Sequence, residues 1–215
     1  MASRLEADLH CRQREYRFHG KMTLRVSLGI CMAIFAWLVA SCEKVDQRAD
    51  LVFLNGAEPE TLDPAIITGQ PEGRIVNALF EGLCAYDENG QPSPGVAESW
   101  EISPDGKTYT FHIRTNAKWS DGFPLKAQDF VKSWHHTLKP ETGSQYNYQL
   151  YPIKNAQAFA EGKLADFSEV GVHAVDARTL RVDLENPTSY FLQLCAFPTL
   201  HPLPVDLIKR VGDDW

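Results

Sequence analysis

No stretch of the 215 residues reaches the roughly 18–20 consecutive apolar side chains that a helix needs to cross a bilayer. Basic side chains are in deficit: 21 Lys+Arg stand against 28 Asp+Glu, for a net charge of −7. They are also unclustered, so no face is suited to a phosphate backbone, which excludes nucleic acid as a partner. There is no C-x-x-C pair, no G-x-S-x-G, no H-E-x-x-H and no P-loop, which removes the commonest sequence marks of metal, redox, hydrolase and nucleotide chemistry. Internal repeats and low-complexity segments are missing too. What is present is ordinary for a folded chain: 44% hydrophobic, 11% aromatic and 23% charged residues, which excludes disorder. The length suits one domain, or two small ones, with enough chain to bury a core.

Residues 1–41 stand apart from the rest. They carry Arg4, Arg12, Arg14, Arg17, Lys21 and Arg25, and beyond Arg25 an apolar run extends from Val26 to Ala40, broken only by Ser27 and Gly29. A basic flank, an apolar run of this size and small residues after it make a secretory signal. The run ends Leu38-Val39-Ala40-Ser41-Cys42, which resembles a bacterial lipoprotein signal. In such signals the cysteine is lipidated and becomes the new N-terminus, so Cys42 is the expected lipidation site. An uncleaved single anchor helix, or a buried helix with an incidental cysteine, is the alternative. Met22-Thr23-Leu24-Arg25 is already a complete basic flank, so translation is expected to begin at Met22, with the signal at 22–41 and a polar tether at 42–50.

Beyond the tether, Leu51-Val52-Phe53-Leu54 reads as a buried strand before Asn55-Gly56. Ala57 to Gly73 is a loop, and Ile75, Val76, Leu79, Phe80 and Leu83 recur at helical spacing. Ser103-Pro104-Asp105-Gly106 is a turn between two strands, 96–102 and 107–114. In the second, Tyr109, Phe111 and Ile113 alternate with polar residues. Helices are predicted at 127–139, 152–161, 189–196 and 204–211, and strands at 171–175 and 179–184. Lys126, preceding the second helix, offers no N-cap oxygen and places positive charge at the positive helix end. Strands and helices mix without regular alternation, so the fold class is mixed α/β (α+β). Cys84 and Cys195 lie in apolar contexts and read as buried thiols, although a disulfide is permitted in an oxidising compartment. His135 and His136 are about 100° apart on a helix and cannot share a metal from one face. No metal and no cofactor is expected. The chain stops at Gly212-Asp213-Asp214-Trp215, which reads as an interruption.

Six segments taken in order carry a resemblance: Glu60-Thr61-Leu62-Asp63-Pro64, Leu79-Phe80-Glu81-Gly82-Leu83, Pro94-Gly95-Val96-Ala97-Glu98-Ser99-Trp100, Asp105-Gly106-Lys107-Thr108-Tyr109-Thr110-Phe111, Ala117-Lys118-Trp119-Ser120-Asp121-Gly122 and Ala127-Gln128-Asp129-Phe130. Together they resemble the bacterial extracytoplasmic solute-binding proteins, family 5, which serve peptide and nickel ABC transporters; 151–204 looks most like the oligopeptide-binding branch. Read from the residues alone, most of these motifs are scaffold: turns, indoles at a core edge, and an Asp63 that accepts backbone N–H bonds. The resemblance implies a two-lobed, periplasmic-binding-protein-like class II clamshell, with only the N-terminal part present. Residues 51–80 would begin lobe I, 81–204 would be a small inserted lobe, and 205–215 would return to lobe I.

The same resemblance implies capture of oligopeptides outside the cytoplasmic membrane and delivery to ABC permease subunits, without catalysis. It implies ligand contact at Thr68, Gly69 and Gln70, a loop beside the peptide backbone, and at Tyr146 of the small lobe. On their own these residues fit an exposed turn and a surface aromatic cluster with Tyr148 and Tyr151 equally well. The implied location is the periplasm or cell envelope, held to the membrane by a lipid anchor. Other family ligands such as dipeptides or nickel, a structural or chaperone-like envelope lipoprotein, and an envelope hydrolase are the alternatives.

Overall fold

The computed structural model describes residues 52–212 and 215. The signal at 1–41, the start at Met22, Cys42, the tether and Leu51 lie outside the described residues. Leu54–Trp215 forms one compact unit and is described here by itself.

The unit is built around a strand that the alternation made legible. In β4 (Thr108–Ile113), Tyr109, Phe111 and Ile113 are buried and their neighbours half-buried. Around it run β3 (Ala97–Ile102), β5 (Val172–Ala174) and β6 (Thr179–Asp183), in the antiparallel order β3-β4-β6-β5. Register places Phe111 beside Leu180 and Tyr109 beside Val182, so one face is apolar. The other face carries Thr108, Thr110, His112 and Arg181, as expected of an antiparallel sheet solvated on one side. A second, two-stranded sheet, β1 (Cys84–Tyr86) with β2 (Pro92–Pro94), has too little alternation to be read from sequence.

Helices cover the apolar face. In α2 (Ala127–Leu138), Phe130, Trp134 and Leu138 recur at i, i+4, i+8 and are fully buried against the sheet. The Trp134 indole N–H donates to the Leu200 carbonyl at 3.0 Å, which removes the cost of burying it unpaired. Phe191 of α4 (Phe191–Cys195) packs on Tyr109 with ring centroids 5.0 Å apart. The remaining helices are α1 (Gln70–Leu79), α3 (Ala156–Ala160) and α5 (Val205–Val211).

Several expectations are corrected. Val52, Phe53 and Leu54 do not form a buried strand: they are 75%, 66% and 86% exposed, and no described strand pairs with them. The first helix begins earlier than its apolar spacing suggests, at Gln70, because Pro71 and Glu72 favour a helix start. It ends at Leu79, which is exposed. Helix 152–161 shrinks to α3 because Ile153 bridges Leu184 and Asn155 takes a left-handed conformation. The Lys126 cap deficit is met from elsewhere: the Lys126 N–H donates to the Asp129 carboxylate at 2.9 Å, and the Ala127 N–H donates to the Ala177 carbonyl. Asp129 also sets negative charge at the positive helix end.

Replacing Trp134 by Ala is expected to cost about 3–5 kcal/mol of stability. Trp134→Phe keeps an aromatic ring and loses the Leu200 bond, for a smaller cost of about 1–3 kcal/mol. Urea-unfolding midpoints compare the two; equal losses would contradict a separate role for the indole N–H.

Candidate functional site

Thr68, Gly69 and Gln70 lie where a loop turns into α1. Gly69 is the helix N-cap residue, in an extended conformation, and its lack of a side chain matters. A Cβ there would fall 2.1 Å from Oε2 of Glu72. Glu72 folds back over the helix start, where Oε1 accepts the Glu60 N–H at 3.0 Å. Backbone N–H donors, that of Glu60 foremost, hold the Glu72 carboxyl below the usual glutamate range. The loop is thus pinned through a side chain that its own glycine accommodates. Gln70 belongs to the first turn of α1 rather than to the loop.

Tyr146 comes from a segment 78 residues away, yet its hydroxyl donates to the Thr68 carbonyl at 3.3 Å. Its ring meets Tyr148 and Phe197 edge-on, with centroids 6.0 and 5.9 Å apart. The structure therefore brings the loop and the aromatic residue together on a partly exposed surface. Glu72 and Phe197, which steady them, were not singled out from sequence. An acidic residue just after Pro71 was the available sign for Glu72; nothing marked Phe197.

A large recess lies elsewhere. It is an open groove of about 1230 Å³, and its lining includes Leu79, Phe80, Phe123, His201, Leu207 and Trp215. None of Thr68, Gly69, Gln70 and Tyr146 lines it. Leu79 and Phe123 stay 63% and 70% exposed there. Two ion pairs sit along it, Arg114 with Glu81 and Lys132 with Asp206. His201 is different. It is 3% exposed, the Ala196 backbone beside it only partly offsets that burial, and Nδ1 has no partner among the described residues. Burial drives its pKa down to about 4, so it is neutral near pH 7.

His135 and His136 do not converge on a metal. His135 stacks on Phe167 at 4.3 Å, and burial lowers the pKa of both imidazoles. No cluster of three or more metal-ligating side chains occurs among the described residues, and no described helix is long and apolar enough to cross a membrane. Cys84 and Cys195 are both buried, as their apolar contexts suggested, and stand in the reduced form in this structure.

Residues 91–214 match the family described as "Bacterial extracellular solute-binding proteins, family 5 Middle". The chain is 42% identical over 198 residues to the periplasmic oligopeptide-binding protein OppA of Escherichia coli, covering 88% of this chain and 36% of that protein. It is 45% identical over 163 residues to the probable deoxycholate-binding periplasmic protein YgiS of the same organism, covering 75% of this chain and 30% of that one. Among solved structures, OppA of Haemophilus influenzae in complex with RPPGFSPFR superposes with a TM-score of 0.71 at 42% identity, over 75% of this chain and 32% of that one. This chain spans about a third of the length of the relatives it matches.

The unfolded reference for His201 is 6.5 and the folded value about 4, so the unfolded state binds the proton first as pH falls. Stability is complete above pH 6.5 and declines by about 3 kcal/mol down to pH 4. His201→Gln should remove that share of the decline, while His135, His136 and Asp63 titrate alike in both proteins. Denaturation at a series of pH values checks it; parallel profiles would contradict the assignment.

Proposed function

The chain belongs to the family 5 bacterial extracellular solute-binding proteins, and we propose on that footing that it is the substrate-binding lipoprotein of an ABC importer. It captures oligopeptides outside the cytoplasmic membrane and delivers them to the permease. The observation that carries this reading is the Tyr146 hydroxyl seated on the Thr68 carbonyl, which joins an aromatic ring to exposed backbone in a chain whose relatives are named as oligopeptide-binding proteins. Extended backbone with an adjacent aromatic suits a peptide held by main-chain hydrogen bonds, in the manner of an added strand. Thr68, Gly69, Gln70 and Tyr146 are the contact residues in this reading. Capture is non-covalent, with no metal or cofactor and no catalytic step.

In the same reading residues 51–80 begin lobe I, 81–204 form the small lobe, 205–215 return to lobe I, and ligand is trapped by lobe closure. Cys42 bears the lipid that keeps the protein at the cell envelope. A second reading, a steroid-acid ligand of the deoxycholate type, is favoured by the 45% identity to YgiS.

Nuclear magnetic resonance titration of the 215-residue chain with mixed tri- to pentapeptides tests the site. These residues supply one side of a cleft, so binding is expected to be weaker than micromolar. Shifts should concentrate at Thr68–Gln70 and Tyr146 and disappear in Tyr146→Ala. Deoxycholate displacing the peptide, or shifting residues where peptide does not, supports the second reading. No response at millimolar peptide overturns the site. For the anchor, labelled palmitate should enter the wild-type chain and be lost in Cys42→Ala; undiminished labelling of the variant contradicts lipidation at Cys42.

A further inference from the structure

Cys84 and Cys195 come from opposite ends of the sheet-bearing unit, one in β1 and one in the last turn of α4. Strand and helix run past each other in inverse order. The Tyr86 hydroxyl donates to the Gln193 carbonyl at 2.9 Å, across 107 residues of chain. Two residues back along β1 and two forward along α4, Cys84 and Cys195 belong to the same buried cluster, near enough for Cys84 to raise the Cys195 thiol pKa. Just before them Gly82 lies so close that a Cβ would fall 2.3 Å from the Cys195 carbonyl oxygen. A glycine at that position lets the chain just before β1 approach the end of α4 closely. The two thiols are 1% and 0% exposed.

We propose that Cys84 and Cys195 are a disulfide pair, oxidised by a disulfide-bearing partner before the fold closes over them. The step is two thiol–disulfide exchanges. One cysteine, as thiolate, attacks a sulfur of the oxidant's disulfide; a mixed disulfide forms and one oxidant thiol leaves with the proton. The second cysteine thiolate attacks the protein sulfur of that mixed disulfide. The Cys84–Cys195 bond forms, and the second oxidant thiol leaves with the remaining proton. Two electrons pass from the protein to the oxidant. Desolvation and the neighbouring Cys84 raise the Cys195 thiol well above its ordinary range, and both groups are shielded, so exchange in the folded state is slow and oxidation belongs to folding. The bond closes a loop of roughly a hundred residues, among the more stabilising closures. An oxidising compartment follows from the envelope location proposed above, so the occurrence in the cell rests on that reading while the pairing does not.

The chain, unfolded in guanidine, is refolded in a buffer of reduced and oxidised glutathione, then denatured, alkylated and weighed. The expected product has two fewer alkylated cysteines than a fully reduced control, and proteolysis yields one peptide pair joined through Cys84 and Cys195. Cys84→Ser and Cys195→Ser each abolish that pair, and reduction lowers the wild-type melting midpoint by about 5–15 °C. Full alkylation of both residues after oxidative refolding, or their linkage to Cys11, Cys31 or Cys42 instead, overturns the pairing. A chain linked in the buffer but reduced when isolated from its cell contradicts the envelope location and leaves the pairing intact.

Discussion

The arrangement of this molecule depends on how α2 satisfies its polar groups while turning an aromatic face to the sheet. Trp134 is buried with its N–H on the Leu200 carbonyl. One position earlier, the Ser133 hydroxyl donates to the Asp129 carbonyl at 2.6 Å and accepts the Leu203 N–H at 2.7 Å. These bonds hold residues 200–203 along the helix. That segment carries His201 and leads into α5, so the floor of the groove is set by a helix whose main task is to cover β5 and β6. If the helix tilted, Leu200, Leu203 and the indole would lose their partners together, each loss leaving a buried polar atom unpaired.

Close backbone approach is the second organising constraint, and two glycines carry it for different reasons. Gly69 leaves room for a carboxylate that restrains its own loop. Gly82 leaves room for the main chain of α4, and through that the contacts of Tyr86 and Cys84 follow. In neither case is an unusual dihedral needed. Gly69 is extended, and neither residue is among the glycines with positive φ. A methyl group at Gly69 would push the Glu72 side chain off the Glu60 N–H, whereas one at Gly82 would meet backbone that cannot yield easily.

Periodicity made the central parts of the fold legible. Tyr109, Phe111 and Ile113 announced β4, the Ser103–Gly106 turn fixed its hairpin, and Phe130, Trp134 and Leu138 announced α2, because each pattern is imposed by one buried face. The apolar run Val52–Leu54 misled, since hydrophobicity specifies a strand only when a neighbouring strand completes its ladder. The short 3₁₀ turns at Pro140–Thr142 and Asn147–Leu150 are too brief to leave a period. At the candidate site, family likeness picked out Thr68–Gln70 and Tyr146 separately. Their meeting across 78 residues is a tertiary contact to which no spacing rule points. His201 was invisible for the same reason: its sequence neighbours say nothing of the Ala196 backbone or of Gly82 beside it.

The sheet order has a kinetic side. β3 and β4 are joined by five residues, 103–107, and can pair at once, but the other edge of β4 waits for β6; Thr108 and Asp183, which share a hydrogen bond in that ladder, are 75 residues apart in the chain. Loop closure of that length delays the second pairing. Until it occurs, β4 is an unpaired edge strand with Tyr109, Phe111 and Ile113 uncovered, the kind of surface that invites pairing with another chain. A strand flanked on both sides in the finished sheet is therefore the most vulnerable one while folding is under way.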